Sequence, residues 1–378
     1  MLGAELAFQL LRSGHEVITI VRPTRSQPDV RQRQLENIAE LHPETKLSSD
    51  ELNHLRVFSG DICCENLKLD SVAIREIRAA DSRCFWNCAA DVRYDVRFRK
   101  TILETNAAAV RNVAIFAETI SADWLHHVST AFVSPIREGV AYEEWLHRDA
   151  IVSARNLYEE SKILGEIKLH ETANVPWSVH RTAILIGPGH NGQVSNTVGY
   201  FGFLRGLFLL REILSRNDSE SSTKPLPKLF RIPGDPQLTM NLVPVDFAVL
   251  EMLDIQALPD LRGGDIFHVV DGKPLTTSEH LKLVKEHLQW DGLCWTDAPS
   301  ESLARIERAF SDLAANFQVQ YCVTAPKHFV VSAHGRKPRS AINVEQLRGQ
   351  IQSACDSWRS NLRTLEVECY AIKKYLRL

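Results

Sequence analysis

The sequence predicts an α/β protein built on a doubly wound parallel sheet, with a smaller mixed lobe on its C-terminal side. Three observations carry that reading. The chain opens on a helical pattern that runs straight into an apolar strand ending in a basic residue. Further on, Trp124-Leu125-His126-His127-Val128-Ser129-Thr130-Ala131-Phe132-Val133 is a short apolar run that closes on two hydroxyl residues. Beyond it, Asn156-Leu157-Tyr158-Glu159-Glu160-Ser161-Lys162 sets a phenol and an ammonium four residues apart, a spacing that puts both on one face of a helix.

The opening elements are read residue by residue. Leu2 to Gly14 has apolar positions at helical spacing and a glycine where a helix C-cap needs one. His15-Glu16-Val17-Ile18-Thr19-Ile20-Val21-Arg22 then reads as a buried strand. A helix feeding such a strand is the second half of a βαβ unit of the kind that binds dinucleotides, with Gly3 as the last glycine of its G-x-x-G-x-x-G turn. The leading glycines and the first strand are absent from this chain. That strand lies in the middle of such a sheet, and without it two rows of backbone groups go unpaired. The natural chain is therefore expected to begin roughly ten to fifteen residues earlier, or inside a larger protein, with Met1 a mis-assigned or cloned start. Arg22 ends the second strand and Arg25 follows, where an adenosine ribose is read. Arginines there suit a 2′-phosphate, so NADP(H) is expected over NAD; a solvated arginine pair is the plain structural alternative.

Tyr158 and Lys162 form a proton-donor arrangement. An unperturbed phenol has a pKa of about 10, and a fixed cation lowers it toward the range useful for general acid catalysis. Ser129 or Thr130 supplies the second hydroxyl that reduction of a carbonyl calls for, a donor to the oxyanion that develops in the transition state. Each pair taken alone also fits ordinary structure: a surface Tyr/Lys pair on a helix, and turn chemistry at a strand end.

Together these residues resemble the extended short-chain dehydrogenase/reductase superfamily, and within it the thioester reductase and fatty acyl-CoA reductase group, the male-sterility type of NAD-binding domain. The resemblance runs from Leu2 to about Phe247 and is carried by further local matches. Val57-Phe58-Ser59-Gly60-Asp61-Ile62 looks like the strand whose Asp contacts adenine. Phe85-Trp86-Asn87-Cys88-Ala89-Ala90-Asp91-Val92 looks like the strand whose small residues, Asn87 and Ala89 among them, approach the cofactor backbone. Thr105-Asn106-Ala107-Ala108-Ala109-Val110 resembles the start of the next helix, written N-V-x-G-T, with Asn106 at the matched position and Ala108 near the usual glycine. The resemblance makes Thr130 the catalytic hydroxyl with Ser129 as neighbour or substitute, Tyr158 the acid, and Lys162 both its activator and a holder of the nicotinamide ribose. Ser161 and Glu166 match positions common in the group. Val179-His180-Arg181-Thr182-Ala183-Ile184-Leu185-Ile186-Gly187 is similar to the R-P-x-x-x-x-G segment at the nicotinamide end, with Thr182 in place of proline and the loop's rigidity in question. Met240-Asn241-Leu242-Val243-Pro244-Val245-Asp246-Phe247 resembles N-x-V-P-V-D-Y, with Asp246 expected as a helix cap.

The resemblance implies NADPH-dependent reduction of an acyl thioester, carried on coenzyme A or on an acyl or peptidyl carrier protein, to an aldehyde or alcohol in secondary or lipid metabolism. Two other readings stay open: another reaction of the superfamily, such as sugar-nucleotide epimerisation or dehydration or hydroxysteroid-type oxidation, and a non-catalytic NADP-binding protein.

The remaining residues set bounds. With 378 residues the chain holds a Rossmann-type domain, expected over 1–190, and a second lobe over 191–378 that is interleaved with the sheet around 230–270. A net charge of −3 leaves no basic footprint for nucleic acid. The eight cysteines follow no metal-ligand spacing, so reduced, buried thiols in a cytoplasmic protein are expected, and no metal site. His268, His280, His287, His328 and His334 lack the close pairing of metal ligands and read as structural or exposed. The most apolar stretch, Val198 to Leu210, is too short to span a bilayer and contains Arg205; it reads as core or as a wall of an acyl cleft. Asn217 to Pro227 reads as a polar inserted loop, and Ser278 to Leu288 and Val344 to Leu365 as helical.

Overall fold

The computed structural model describes residues 1–190, 199–215, 224–323 and 328–376. The chain forms two compact units. The first comprises Met1–Ala183, Val245–Val270 and Phe329–Pro338, and the second Ile184–Pro244, Asp271–His328 and Arg339–Leu378.

The first unit begins with α1 (Leu2–Arg12), followed by Gly14 at φ +80°, the left-handed turn that ends the helix. Glu5, fully buried on α1, is answered by His42 Nε2 at 2.7 Å and Gln9 Nε2 at 2.7 Å. The chain continues through β1 (Val17–Val21), α2 (Val30–Leu41), β2 (Leu55–Ser59), α3 (Ser71–Arg78) and β3 (Cys84–Asn87). After α4 (Ala109–Thr119) come β4 (Trp124–Thr130), α5 (Leu157–Thr172) and β5 (Trp177–Thr182). The segment 245–270 then adds α6 (Val245–Gln256) and β6 (Asp265–Val269). This return explains why the unit does not follow a boundary at residue 190: β6 pairs in parallel with β5 and extends its sheet.

All these strands are parallel, and they fall into two ladders, β1–β2 and β6–β5–β4–β3. One apolar core joins them. Leu125, Val179 and Ile266 of the larger ladder pack with Val113, Phe116 and Leu169 of α4 and α5, and Ile18, Ile20 and Phe58 of the smaller ladder close on the same cluster. Each such side chain, fully buried, contributes about 1.5–3 kcal/mol, so this cluster fixes α4 and α5 over one face of the sheet.

The helix before α4 departs from the sequence expectation. Asn106 does not open a helix; it lies within a π-helical turn, Glu104–Ala108, between a short helix Arg99–Leu103 and α4. α5 passes so close to this turn that a Cβ on Gly165 would stand 2.3 Å from the Asn106 carbonyl oxygen. Backbone cannot yield as a flexible side chain does, so Gly165→Ala is expected to cost about 1–3 kcal/mol. A thermal melt checks it; an unchanged midpoint would mean the helices separate at no cost.

In the second unit the apolar stretch forms a helix, Tyr200–Ser215, which is core there: Phe203 lies 6.1 Å from Phe310 and Phe208 5.3 Å from Trp358, ring centre to ring centre. Two short parallel pairs, Ile184–Ile186 with Leu242–Pro244 and Phe230–Pro233 with Leu293–Thr296, belong to the same unit. The expected helices appear as Thr277–Leu288, Val344–Ser360 and Leu362–Leu376. Of the polar stretch 217–227, residues 217–223 lie outside the described residues. Asp246 is not a cap: it is the second residue of α6 and accepts from Phe247 N at 3.0 Å. The cysteines are free, yet not all buried, since Cys63, Cys64 and Cys84 are exposed. Among the described residues no helix is long and apolar enough to cross a membrane.

Candidate active site

Parallel strands bring their C-terminal ends to one edge, and the predicted residues gather there. Arg22 follows β1, Gly60 and Asp61 follow β2, Cys88 to Ala90 follow β3, and Thr130 ends β4. Arg22 and Arg25 are exposed. The Arg22 charge is felt at Cys63, beside Asp61, and at Asp91, so the ends of β1, β2 and β3 share one electrostatic neighbourhood. Asp61 accepts from Cys63 N at 2.9 Å, which closes the turn after β2. A Cβ on Gly60 would meet Ile20 Cγ2 at 2.4 Å and the Leu67 carbonyl oxygen at 2.7 Å, so only glycine fits. Gly3 stands against Cys88, 3.5 Å from its Cβ to where a side chain would begin. Ala89 is exposed, whereas Asn87 is buried and its Nδ2 lies 3.0 Å from His127 Nδ1. The sequence reading directs Asn87 to a cofactor; the structure commits its amide to the core.

Tyr158 and Lys162 sit in the first turns of α5, where Asn156 caps the helix by accepting from Glu159 N at 2.8 Å. Lys162 is 2% exposed and donates from Nζ to the Val128 carbonyl oxygen at 2.7 Å, two residues before Thr130. That bond docks the Tyr/Lys helix on the end of the hydroxyl strand. Burial lowers the ammonium to about 8, with Glu166 and Cys88 pulling the other way. The phenol behaves differently from the expectation. Burial pushes Tyr158 up, and Tyr94 and Glu159 add to the effect, so in the protein itself it is held firmly protonated rather than lowered by Lys162. The N-terminal end of α5 nonetheless offers its positive dipole end to charge developing nearby.

The two candidate hydroxyls leave β4 on opposite faces, because side chains alternate along a strand. Ser129 shares the face of Leu125, which α4 and α5 cover, and its Oγ is buried with no hydrogen-bond partner among the described residues. Thr130 is the last strand residue, 6% exposed, paired in register with Thr182. Thr182 resolves the question raised by the missing proline: its Oγ1 donates to the Ser129 carbonyl at 3.3 Å, pinning the β5 end to β4. Arg181 beside it is fully buried and grips Glu166 of α5 through two bonds, 3.1 and 2.7 Å.

Asn106 does more than mark a motif. Its Nδ2 donates to Asp91 O at 2.7 Å and to Ser161 Oγ at 2.9 Å, its Oδ1 accepts from Asp91 N at 2.7 Å, and Ser161 Oγ in turn donates to Tyr158 O at 2.7 Å. The loop after β3 and the start of α5 are thereby one piece. Tyr94 on that loop meets Tyr158 edge to face, 5.9 Å between ring centres. Sequence reasoning passed over Tyr94; its signal is the strict alternation of apolar and charged residues from Val92 to Phe98, a strand-like pattern that the structure folds instead as a loop with a 3-10 turn at Val96–Phe98.

The residues fit a dinucleotide. A buried hydroxyl without a partner among the described residues, a buried ammonium at the strand end and an exposed arginine after β1 are donors such a group uses, and the exposed Ala89 puts no bulk in its way.

Fold and site define an extended short-chain dehydrogenase/reductase with a Rossmann-type sheet. The family model described as male sterility protein, an NAD-binding domain, matches residues 1–252, and the chain belongs to that family of oxidoreductases. Among solved structures, the terminal R domain of the myxalamid PKS-NRPS biosynthetic pathway is similar at a TM-score of 0.71 and 19% identity, over 94% of this chain and 88% of that one. A thiolation-reductase di-domain from an archaeal non-ribosomal peptide synthetase gives 0.61 and 14%, over 96% of this chain and 74% of that one. UDP-glucose 4-epimerase of Thermotoga maritima gives 0.57 and 15%, over 96% of each chain. No curated protein sequence matches the chain significantly. The chain thus carries an NAD-binding domain of the male sterility protein family over residues 1–252.

Proposed function

We propose that the protein reduces an acyl thioester to an aldehyde, using NADPH. The observation that carries this is the bond from buried Lys162 to Val128 O, which sets the phenol-bearing turn of α5 over the end of the strand that carries Thr130. When bound, the dinucleotide supplies the hydride. The protein's residues do the rest. Thr130 donates to the thioester carbonyl oxygen as that oxygen gains negative charge. Tyr158 gives it a proton, leaving a hemithioacetal, which collapses to aldehyde and free thiol. Lys162, held charged at neutral pH, stabilises the phenolate left behind and has N–H donors to hold the nicotinamide ribose. Arg22, Arg25, Asp61, Ala89 and Gly3 line the path of the dinucleotide. Asn106 keeps the phenol's helix in place. An acyl or peptidyl carrier protein, or coenzyme A, would present the substrate, a reading supported by the likeness to a PKS-NRPS terminal R domain and a thiolation-reductase di-domain.

The test is a panel of acyl thioesters, sugar nucleotides and sterols, followed by NADPH oxidation. Turnover confined to thioesters supports the proposal; turnover of a sugar nucleotide or sterol instead would overturn it. Cofactor choice has its own check. Losing a charge-assisted bond to a 2′-phosphate costs about 1.5–3 kcal/mol, so Arg22→Ala should raise KM for NADPH about 10–100-fold and leave KM for NADH within a factor of about two. Equal effects on both cofactors would remove the case for NADPH.

A further inference from the structure

We propose that the loop from Asp91 to Phe98 is the acyl-facing lip of the site, and that Tyr94, packed edge-on against Tyr158, is the residue that selects for an extended apolar chain. This rests on the thioester reading above and adds a substrate class to it.

The loop is exposed yet firmly built. At its start Asn106 bonds both the N–H and the carbonyl of Asp91. In its middle Asp95 accepts from Arg97 N at 2.9 Å, and its carbonyl accepts from Phe98 N at 3.0 Å. At its end Arg99 clasps Glu160 of α5 through two bonds, 3.0 and 2.6 Å. Both ends are thus stapled to the helix of the catalytic phenol, one through Asn106 and Ser161 and the other through Glu160.

On this fixed frame the side chains divide cleanly. The charged residues are spent on one another and on α5: Arg93 on Asp91, Arg97 on Asp95, Arg99 on Glu160. The apolar ones are offered to solvent, with Val92 44% and Val96 73% exposed, and Phe98 39% exposed beneath the Arg93 guanidinium at 3.9 Å. Ordering apolar side chains in water brings no stabilisation, so a rigid loop that displays them beside a reactive group is arranged for something that covers them. The site defines what that is. A carbonyl that takes a proton from Tyr158 stands within about 3 Å of its oxygen, and in this proposal the chain attached to it runs past the Tyr94 ring, which meets the Tyr158 ring edge-on, and along the loop.

The experiment measures kcat and KM of the full chain with NADPH and coenzyme A thioesters of two, six, ten and fourteen acyl carbons. Burial of a methylene is worth about fourfold in kcat/KM while the chain still meets the lip, so the wild type should prefer long chains. Tyr94→Ala and Val96→Asp should each lose about tenfold more on the ten-carbon than on the two-carbon substrate, with most of the loss in KM, whereas Tyr94→Phe keeps the ring and the slope. If every variant loses the same factor on all chain lengths, or the wild type shows no length preference, the lip is refuted while thioester reduction stands. A wild type inert on every thioester refutes the reading beneath it, and the lip with it.

Discussion

Tyr158→Phe is expected to lower kcat for thioester reduction about 10²–10⁴-fold, the range that a positioned general acid supplies, with little change in KM or in thermal midpoint. The phenylalanine keeps the ring that meets Tyr94 and loses only the hydroxyl that gives the proton. The pH profile of the wild type identifies the partner. The phenol is pushed up by burial, so it stays protonated across the working range, and the group that titrates first is Lys162, lowered to about 8. Below that value the ammonium is charged and supports the transfer; as pH rises through it the charge goes, and activity should fall. Stopped-flow or steady-state rates from pH 6.5 to 9.5 show this directly. Activity that climbs steadily to pH 9.5, or a Phe variant with wild-type turnover, would take the proton donor elsewhere.

Much of this was legible in the sequence, and the parts that were not share a physical cause. Local spacing shows Tyr158 and Lys162 on one helical face, because helix geometry alone decides it. The strand ends at Arg22, Asp61 and Thr130 are equally visible, since an apolar run stops where polar residues begin. Asn106 was placed one role short. A π-turn inserts one residue into a helix without disturbing the pattern on either side, so periodicity cannot show that its amide turns toward Asp91 and Ser161. The direction of the Tyr158 shift was misjudged for a related reason: proximity to a cation can be read from spacing, while desolvation depends on what packs around the ring. Nothing local in the sequence reveals that Asn87, expected at the cofactor, also meets His127 across the ladder.

The same blindness concealed a group of histidines, and their burial predicts the protein's response to acid. His126, His127, His180 and His268 are each at most 1% exposed. His126 Nδ1 and His180 Nε2 stand 3.1 Å apart, both in reach of Ser178 Oγ, with Trp86 stacked 4.0 Å from His126. Two cations cannot share that space. Burial lowers His126 and His268 to about 3 and holds His127 and His180 well below the ordinary range. The unfolded chain takes a proton at each near pH 6.5 and the folded chain refuses it, so stability is full above 6.5 and is lost as pH falls from there toward the folded values. Between pH 6.5 and 5.5 each group should remove about 1 kcal/mol. His334 works in the opposite sense: Asp265 and Asp260 raise it, so its protonation favours the fold in acid and offsets a small part of that loss. The net loss of about 3–4 kcal/mol is a large share of the 5–15 kcal/mol typical of a whole domain. Carboxylates titrate mainly below this window, which isolates the histidines. Thermal midpoints at pH 7.5, 6.5 and 5.5 should therefore drop by about 6–14 °C over the last step, and His180→Phe, which removes one of the paired rings, should flatten that slope by about a quarter. A midpoint that holds steady down to pH 5 would mean the rings admit protons in the folded state, and that the β4–β5 face opens to water more readily than its packing implies.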